Sequence, residues 1–207
     1  LIYFFMSAVV LSIINLIGVS TGHTITMFPF AIGAIVISLG ATAFGIINAT
    51  MPRVVTYEVH SPALSEKWSG KNIVLISDTH LGVVRSGSFM KKVVKKINEQ
   101  KPDLVLIAGD AIDGPVFDYE KSFAPLKDIV STFGTVYTPG NHEAYNREPE
   151  KFYPIIRGLT TTLVDSKVEI NGTTIVGLDF ANESVEATQE RLAKTGFEKG
   201  PSIALLH

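Results

Sequence analysis

Asn72-Ile-Val-Leu-Ile-Ser-Asp78-Thr79-His80 is the stretch on which the reading of this chain turns. Residues 72–77 are short, apolar and rich in β-branched side chains, the pattern of a strand covered on both faces. Phe89, Val93, Val94 and Ile97 then recur at helical spacing with lysines opposite, which predicts a helix over 89–100 ended by Pro102. Residues 104–108 (Leu-Val-Leu-Ile-Ala) repeat the buried-strand pattern, so 72–108 reads as one β-α-β unit.

Working outward, a helical stretch is expected near 119–131 and a third strand at 135–138, stopped by Pro139-Gly140. Asn171-Gly172 is a strong two-residue hairpin signal and separates strands expected at 167–170 and 173–178. A helix at 185–194 and a last buried strand at 202–206 complete this part. Upstream, 53–59 alternates enough to be a strand, and 61–70 is a polar connection. Strands alternating with helices predict a layered α/β domain.

The first 52 residues are of another kind, because they hold no Asp, Glu, Lys or Arg. Two apolar runs, 1–19 and 25–47, are each long enough to cross a hydrocarbon core of about 30 Å as a helix. Residues 20–24, His23 among them, form a polar turn between them, and Met51-Pro52 marks the exit. A signal peptide would carry one shorter apolar run behind a basic start. The expected organisation is therefore two transmembrane helices in 1–52 and a soluble domain in 53–207, a multi-pass protein of the cell membrane. Gly33, Gly40 and Gly45 either let helices approach closely or reflect ordinary glycine usage in membrane helices. Arg53, Lys67 and Lys71 follow the second run while the turn has no basic residue, which places the soluble domain on the cytoplasmic side by the positive-inside rule.

A net charge of −2 argues against a nucleic-acid partner, and the absence of cysteine excludes disulfides and thiolate metal sites. Polar clusters stand where four of the expected strands end: Asp78-Thr79-His80, Gly109-Asp110, Gly140-Asn141-His142-Glu143 and His207. Ligands of layered α/β sheets collect outside the carboxyl ends of strands. Carboxylate, amide and imidazole groups together suit divalent metals such as Mn, Fe or Zn. With two cations side by side, a carboxylate between them is the natural bridge, and Asp110 is the candidate; His142 is placed to donate a proton to a leaving alkoxide. Gly109 and Gly140 permit tight backbone geometry before each ligand.

These motifs resemble the calcineurin-like metallophosphoesterase family, whose pattern runs D-x-H, G-D, G-N-H-[DE], a lone His, then G-H-x-H. The resemblance covers roughly residues 70–207, and its wording is similar to that of a bacterial subgroup often attached to membranes. It implies a β-sandwich of two mixed sheets flanked by helices. It also implies that Asp78 and His80 hold one metal, Asp110 bridges, Asn141 and His207 hold the other, and His142 is the acid, held by Glu143 or another carboxylate. Both chain ends, Leu1 and His207, are read as truncations, with the closing G-H-x-H expected beyond His207.

The function expected is hydrolysis of a phosphoester or pyrophosphate by a pair of divalent metals, on a phosphorylated small molecule or a lipid-linked substrate near the membrane. The competing reading is a non-catalytic, membrane-anchored binding or sensing module of the same fold. Asp113 is either a group behind the ligands or a solvated loop carboxylate. Lys91, Lys92, Lys95 and Lys96 read as a solvated helix face, and His60 as a loop residue.

Overall fold

Leu104–Ala108 is apolar at every position because the strand is covered on both faces, and the two faces belong to different layers. Val105 and Ile107 join a core with Met90, Val93, Ile97, Phe123, Tyr137, Phe152 and Ile156. Leu104, Leu106 and Ala108 join a second core with Trp68, Val136, Leu163, Ile175 and Leu205. Helices thus cover one face of the central sheet and a second sheet covers the other.

The computed structural model describes residues 2–22, 26, 28–61, 65–114, 118–197 and 202–207, which places His23 and Ile25 outside the described residues. The described elements are α1 (Ile2–Ser20), α2 (Phe28–Ala49), β1 (Ile73–Ile76), β2 (Leu81–Gly82), α3 (Gly87–Glu99), β3 (Leu104–Ala108), β4 (Ile112–Asp113), α4 (Tyr119–Phe123), β5 (Thr135–Thr138), α5 (Asn141–Ala144), α6 (Pro149–Leu159), β6 (Thr161–Thr162), β7 (Ser166–Ile170), β8 (Thr173–Gly177), α7 (Val185–Lys194) and β9 (Ser202–Leu205). Two compact units divide between Met51 and Pro52.

In the first unit α1 and α2 rise about 28 and 33 Å at 1.5 Å per residue, enough to cross a hydrocarbon core. Their large apolar side chains point outward. The helices meet at small residues: Ser38 is buried, and its hydroxyl lies 3.1 Å from that of Ser7. Close approach at Gly33, Gly40 or Gly45 does not occur, since a Cβ added at any of them would meet nothing within 4 Å.

In the second unit the central sheet has the order β1-β3-β5-β6 and is parallel throughout, while β2 and β4 form a small parallel pair. The second sheet, β7-β8-β9, is mixed: β7 and β8 make the hairpin around Asn171-Gly172, and β9 runs parallel to β8. Asn171 takes φ +52° and Gly172 φ +74°, the pair of positive values that a tight hairpin turn demands. The layers are tied by polar bonds as well: the Trp68 indole donates to Thr173 Oγ1 at 2.7 Å, and Thr138 Oγ1 lies 2.7 Å from the Leu178 carbonyl.

Three local expectations change. Residues 53–60 join no sheet among the described residues, because alternation makes a strand only where a partner edge completes the ladder. The helix expected over 119–131 stops at Phe123 and continues as a 3₁₀ turn, Ala124–Asp128, where Pro125 has no N–H to extend the α ladder. Helix α6 arises where none was expected: Pro149 sits in its first turn, Phe152 and Ile156 face the core, and it tolerates Pro154. Phe152 is fully buried, with Phe123, Tyr137 and Tyr153 rings 5.3–6.1 Å away. Phe152→Ala is expected to cost about 3–5 kcal/mol, measured as a lower denaturant midpoint with an unchanged slope.

Candidate metal centre

Because β1, β3 and β5 run parallel, their carboxyl ends share one edge, and the segments 77–80, 109–111 and 139–142 leave that edge side by side. Backbone bonds join the first two: Asp78 N–H donates to Gly109 O at 3.2 Å, His80 N–H to Asp110 O at 3.0 Å and Leu81 N–H to Ala111 O at 2.8 Å. Such pairing holds Asp78, His80 and Asp110 at φ +56°, +46° and +52°, a left-handed conformation that costs non-glycine residues on the order of 1–3 kcal/mol each. Arg85 supports the first segment, its guanidinium 3.3 Å from the carbonyls of Asp78 and Thr79.

The glycines behave as expected. At Gly109, with φ +68°, a Cβ would stand 2.6 Å from Gly140 Cα and 2.7 Å from His207 Cβ. At Gly140 a Cβ would overlap the Asp110 carboxylate and lie 2.5 Å from its amide nitrogen. Neither position admits another residue without moving the strand ends apart.

Glu143 organises the junction. Its buried carboxylate accepts from the amides of Gly140 (2.6 Å), Asp110 (2.9 Å), Ala111 (2.8 Å) and Ile112 (3.1 Å). Those four bonds occupy its acceptor positions, so it does not hold His142. The partner of His142 is Asp113 on β4, with Nδ1 and Oδ1 3.2 Å apart. The carboxylate expected behind His142 is therefore the alternative one, three residues beyond Asp110.

Side chains converge on Asp110, whose carboxylate is only 4% exposed. Its Oδ1 accepts the His142 amide at 2.9 Å. Its Oδ2 faces Nε2 of His207 at 3.2 Å, of His80 at 3.8 Å and of His142 at 3.9 Å. His80 Nε2 is also 3.5 Å from Asp78 Oδ1, and the His80 and His142 rings meet edge to face, 4.6 Å between centroids. Two groups, His80–Asp110–His142 and Asp78–Asp110–His207, each bring their ligand atoms within 4.8 Å of one another. Asp110 belongs to both.

This arrangement fits a divalent cation. The Asp78 and Asp110 carboxylates at that separation repel by roughly 3 kcal/mol at an effective dielectric of about 20, which a cation between them would reverse. His207 Nδ1 sits 2.9 Å from the Ala108 carbonyl, the outer bond that fixes the tautomer of a metal-binding imidazole and leaves Nε2 to face the cluster. Asn141 opens α5 next to Asp110's partner His142, and its side-chain amide makes no hydrogen bond among the described residues. His60 stands apart, beside Glu58 at 3.3 Å, as a surface residue.

Sequence reasoning did not foresee Glu143 as the tie between loops or Arg85 as the support of Asp78. The signal for Glu143 was its position three residues after Gly140, the spacing at which an acid reaches back to the amide that precedes a helix. Nothing marked Arg85. Glu143→Gln would turn an NH₂ group toward backbone donors, and is expected to destabilise the fold by about 2–4 kcal/mol in chemical denaturation.

The calcineurin-like phosphoesterase family profile matches residues 71–197. The chain is 31% identical over 127 residues to a zebrafish (Danio rerio) transmembrane protein with a metallophosphoesterase domain, covering 61% of this chain and 29% of that protein. It is 36% identical over 127 residues to an uncharacterized metallophosphoesterase of Campylobacter jejuni, covering 61% and 33%. An uncharacterized metallophosphoesterase of Bacillus subtilis matches over 170 residues at 30% identity, covering 76% and 57%. The chain thus spans about a third of the length of the first two relatives and somewhat over half of the third. With a family match over more than half its length and the motif residues gathered around Asp110, this chain belongs to the calcineurin-like phosphoesterase family.

Proposed function

We propose that the protein hydrolyses a phosphoester or pyrophosphate at a dinuclear metal centre built around Asp110, on a phosphorylated small molecule or a lipid-linked substrate. One observation carries this reading: the nearly buried Asp110 carboxylate is shared by two potential ligand groups. Asp78 and His80 on one side, and Asn141 and His207 on the other, are the ligands carried over from the family motifs. The grouping by distance pairs Asp78 with His207 and His80 with His142 instead, so the division of ligands between ions is open to measurement. Two bound divalent cations (Mn, Fe or Zn) would lower the pKa of an attacking water and offset charge on the phosphoryl oxygens.

His142 is the proposed acid. Asp113 orients its imidazole through Nδ1, which leaves Nε2 to deliver a proton to the departing oxygen. Asp110 positions this group too, through its bond to the His142 amide. Glu143 and Arg85 act behind them by holding the loops in place.

Residues 1–52 are proposed as a two-span membrane anchor and 53–207 as the hydrolase domain. Two helices of membrane-crossing length and the similarity to the zebrafish transmembrane protein support that division. An anchor concentrates the site near lipid, which favours a membrane-proximal substrate. The basic residues Arg53, Lys67 and Lys71 after the second span favour a cytoplasmic domain. Protease treatment of sealed inside-out membrane vesicles should then degrade the domain, and protection there would reverse the orientation.

The central test is manganese-dependent hydrolysis of paired phosphomonoesters and phosphodiesters by the full-length protein, with metal content measured alongside. Asp110→Asn should lose both metal and turnover. His142→Ala should keep its metal while kcat falls by about 10²–10⁴-fold. Loss of metal in His142→Ala would make His142 a ligand, and metal bound without turnover of any ester would favour a binding or sensing module. A lipid-linked substrate fails if detergent-dispersed lipid pyrophosphates are hydrolysed no faster than soluble nucleotides.

A further inference from the structure

Beside the metal cluster lies a cavity of about 660 Å³, lined by Ile112, Asp113, Tyr119, His142, Tyr145, Asn146 and Arg147 among others. It shares His142 and Asp113 with the cluster, so it opens on the side of the proposed acid. A group protonated by His142 departs on that side. Resting on the hydrolase reading above, we propose that this cavity receives the leaving group of the ester and recognises an anionic substituent on it through Arg147.

Two observations carry the proposal. Asn146 Oδ1 lies 3.2 Å from the Tyr119 hydroxyl and accepts the Glu148 amide at 3.1 Å, and this second bond requires the oxygen at that place. The Asn146 side chain is therefore held in place, which steadies the segment that brings Arg147 to the cavity wall. Next to it Arg147 pairs with no carboxylate among the described residues, although acidic residues surround the cavity. Those acids are engaged elsewhere: Asp113 with His142 at 3.2 Å, and Glu148 with Lys151 at 2.5 Å. The cation left over is the one whose planar fork matches carboxylate or phosphate oxygens.

The walls limit the rest of the leaving group. Ile112 is buried at the back, and Tyr119 and Tyr145 present rings to the same space, Tyr145 with 70% of its surface exposed. An aromatic or other flat apolar body bearing one terminal anion fits this combination of apolar wall and guanidinium.

The test compares equilibrium binding of benzylphosphonate, 4-carboxybenzylphosphonate and 1,4-bis(phosphonomethyl)benzene to the full-length, manganese-loaded protein. None of these can be hydrolysed, so binding is read apart from catalysis. The added anion should tighten binding by about tenfold, whichever of the two anions gains more naming the preferred substituent. Arg147→Gln should bring that gain close to unity and Arg147→Lys should keep part of it. Arg157→Gln, whose side chain stacks on Tyr153, should leave the gain intact. An equal affinity for all three probes, or a gain that survives Arg147→Gln, overturns the proposal. A gain that depends on Arg147 in a protein hydrolysing no ester would uphold the cavity and refute the hydrolase reading. Turnover of simple esters without any gain would do the reverse.

Discussion

The Glu143 carboxylate, buried and accepting four backbone amides, is the interaction on which the site depends. Three of those amides belong to the segment after β3 and one to the segment after β5, so a single side chain joins two strand ends. A buried anion is tolerated only where its acceptor positions are filled, and here the backbone fills them. The junction sets the direction of Asp110, whose own carboxylate then receives the His142 amide and faces three imidazoles. Through one chain of bonds the position of Glu143 becomes the position of the metal ligands.

The surrounding layers make that junction rigid. β3 contributes alternate residues to a helix-covered core and a sheet-covered core, so its carboxyl end is held from both sides. The left-handed backbone of Asp78, His80 and Asp110 is sustained by ladder-like bonds between adjoining loops, within a framework too well packed to relax. Gly109 and Gly140 let those loops approach to a separation that a single methyl group would prevent.

Much of this was legible along the chain. The apolar runs at 104–108 and 135–138, the Asn171-Gly172 turn and the amphipathic α3 and α7 express local periodicity and turn chemistry, and they lie within a residue or two of their expected bounds. The motif residues after β1, β3 and β5 were legible as well, since parallel strands bring their carboxyl ends to one edge, whereas His207 reaches Asp110 from β9 of the second sheet. Where local rules competed, the reading was poorer: Pro125 shortened one helix, and Pro154 concealed another whose Phe152 and Ile156 are fully buried.

The sequence by itself determined the class of fold, the family, the two long apolar helices and the motif residues at the strand ends. These follow from hydrophobic period, span length and short motifs, all of which act over neighbouring residues. Only the tertiary structure decided which carboxylate holds which group. Glu143 stands next to His142 in sequence yet turns to the amides of Asp110, Ala111 and Ile112, while Asp113, 29 residues earlier, takes the imidazole. Adjacent residues of a helical turn point in different directions, and the partner of each is chosen by the segment packed beside it. The same reason left Arg147 beside a cavity and kept residues 53–60 out of any sheet among the described residues: a charge or a strand acquires its role from what lies across space.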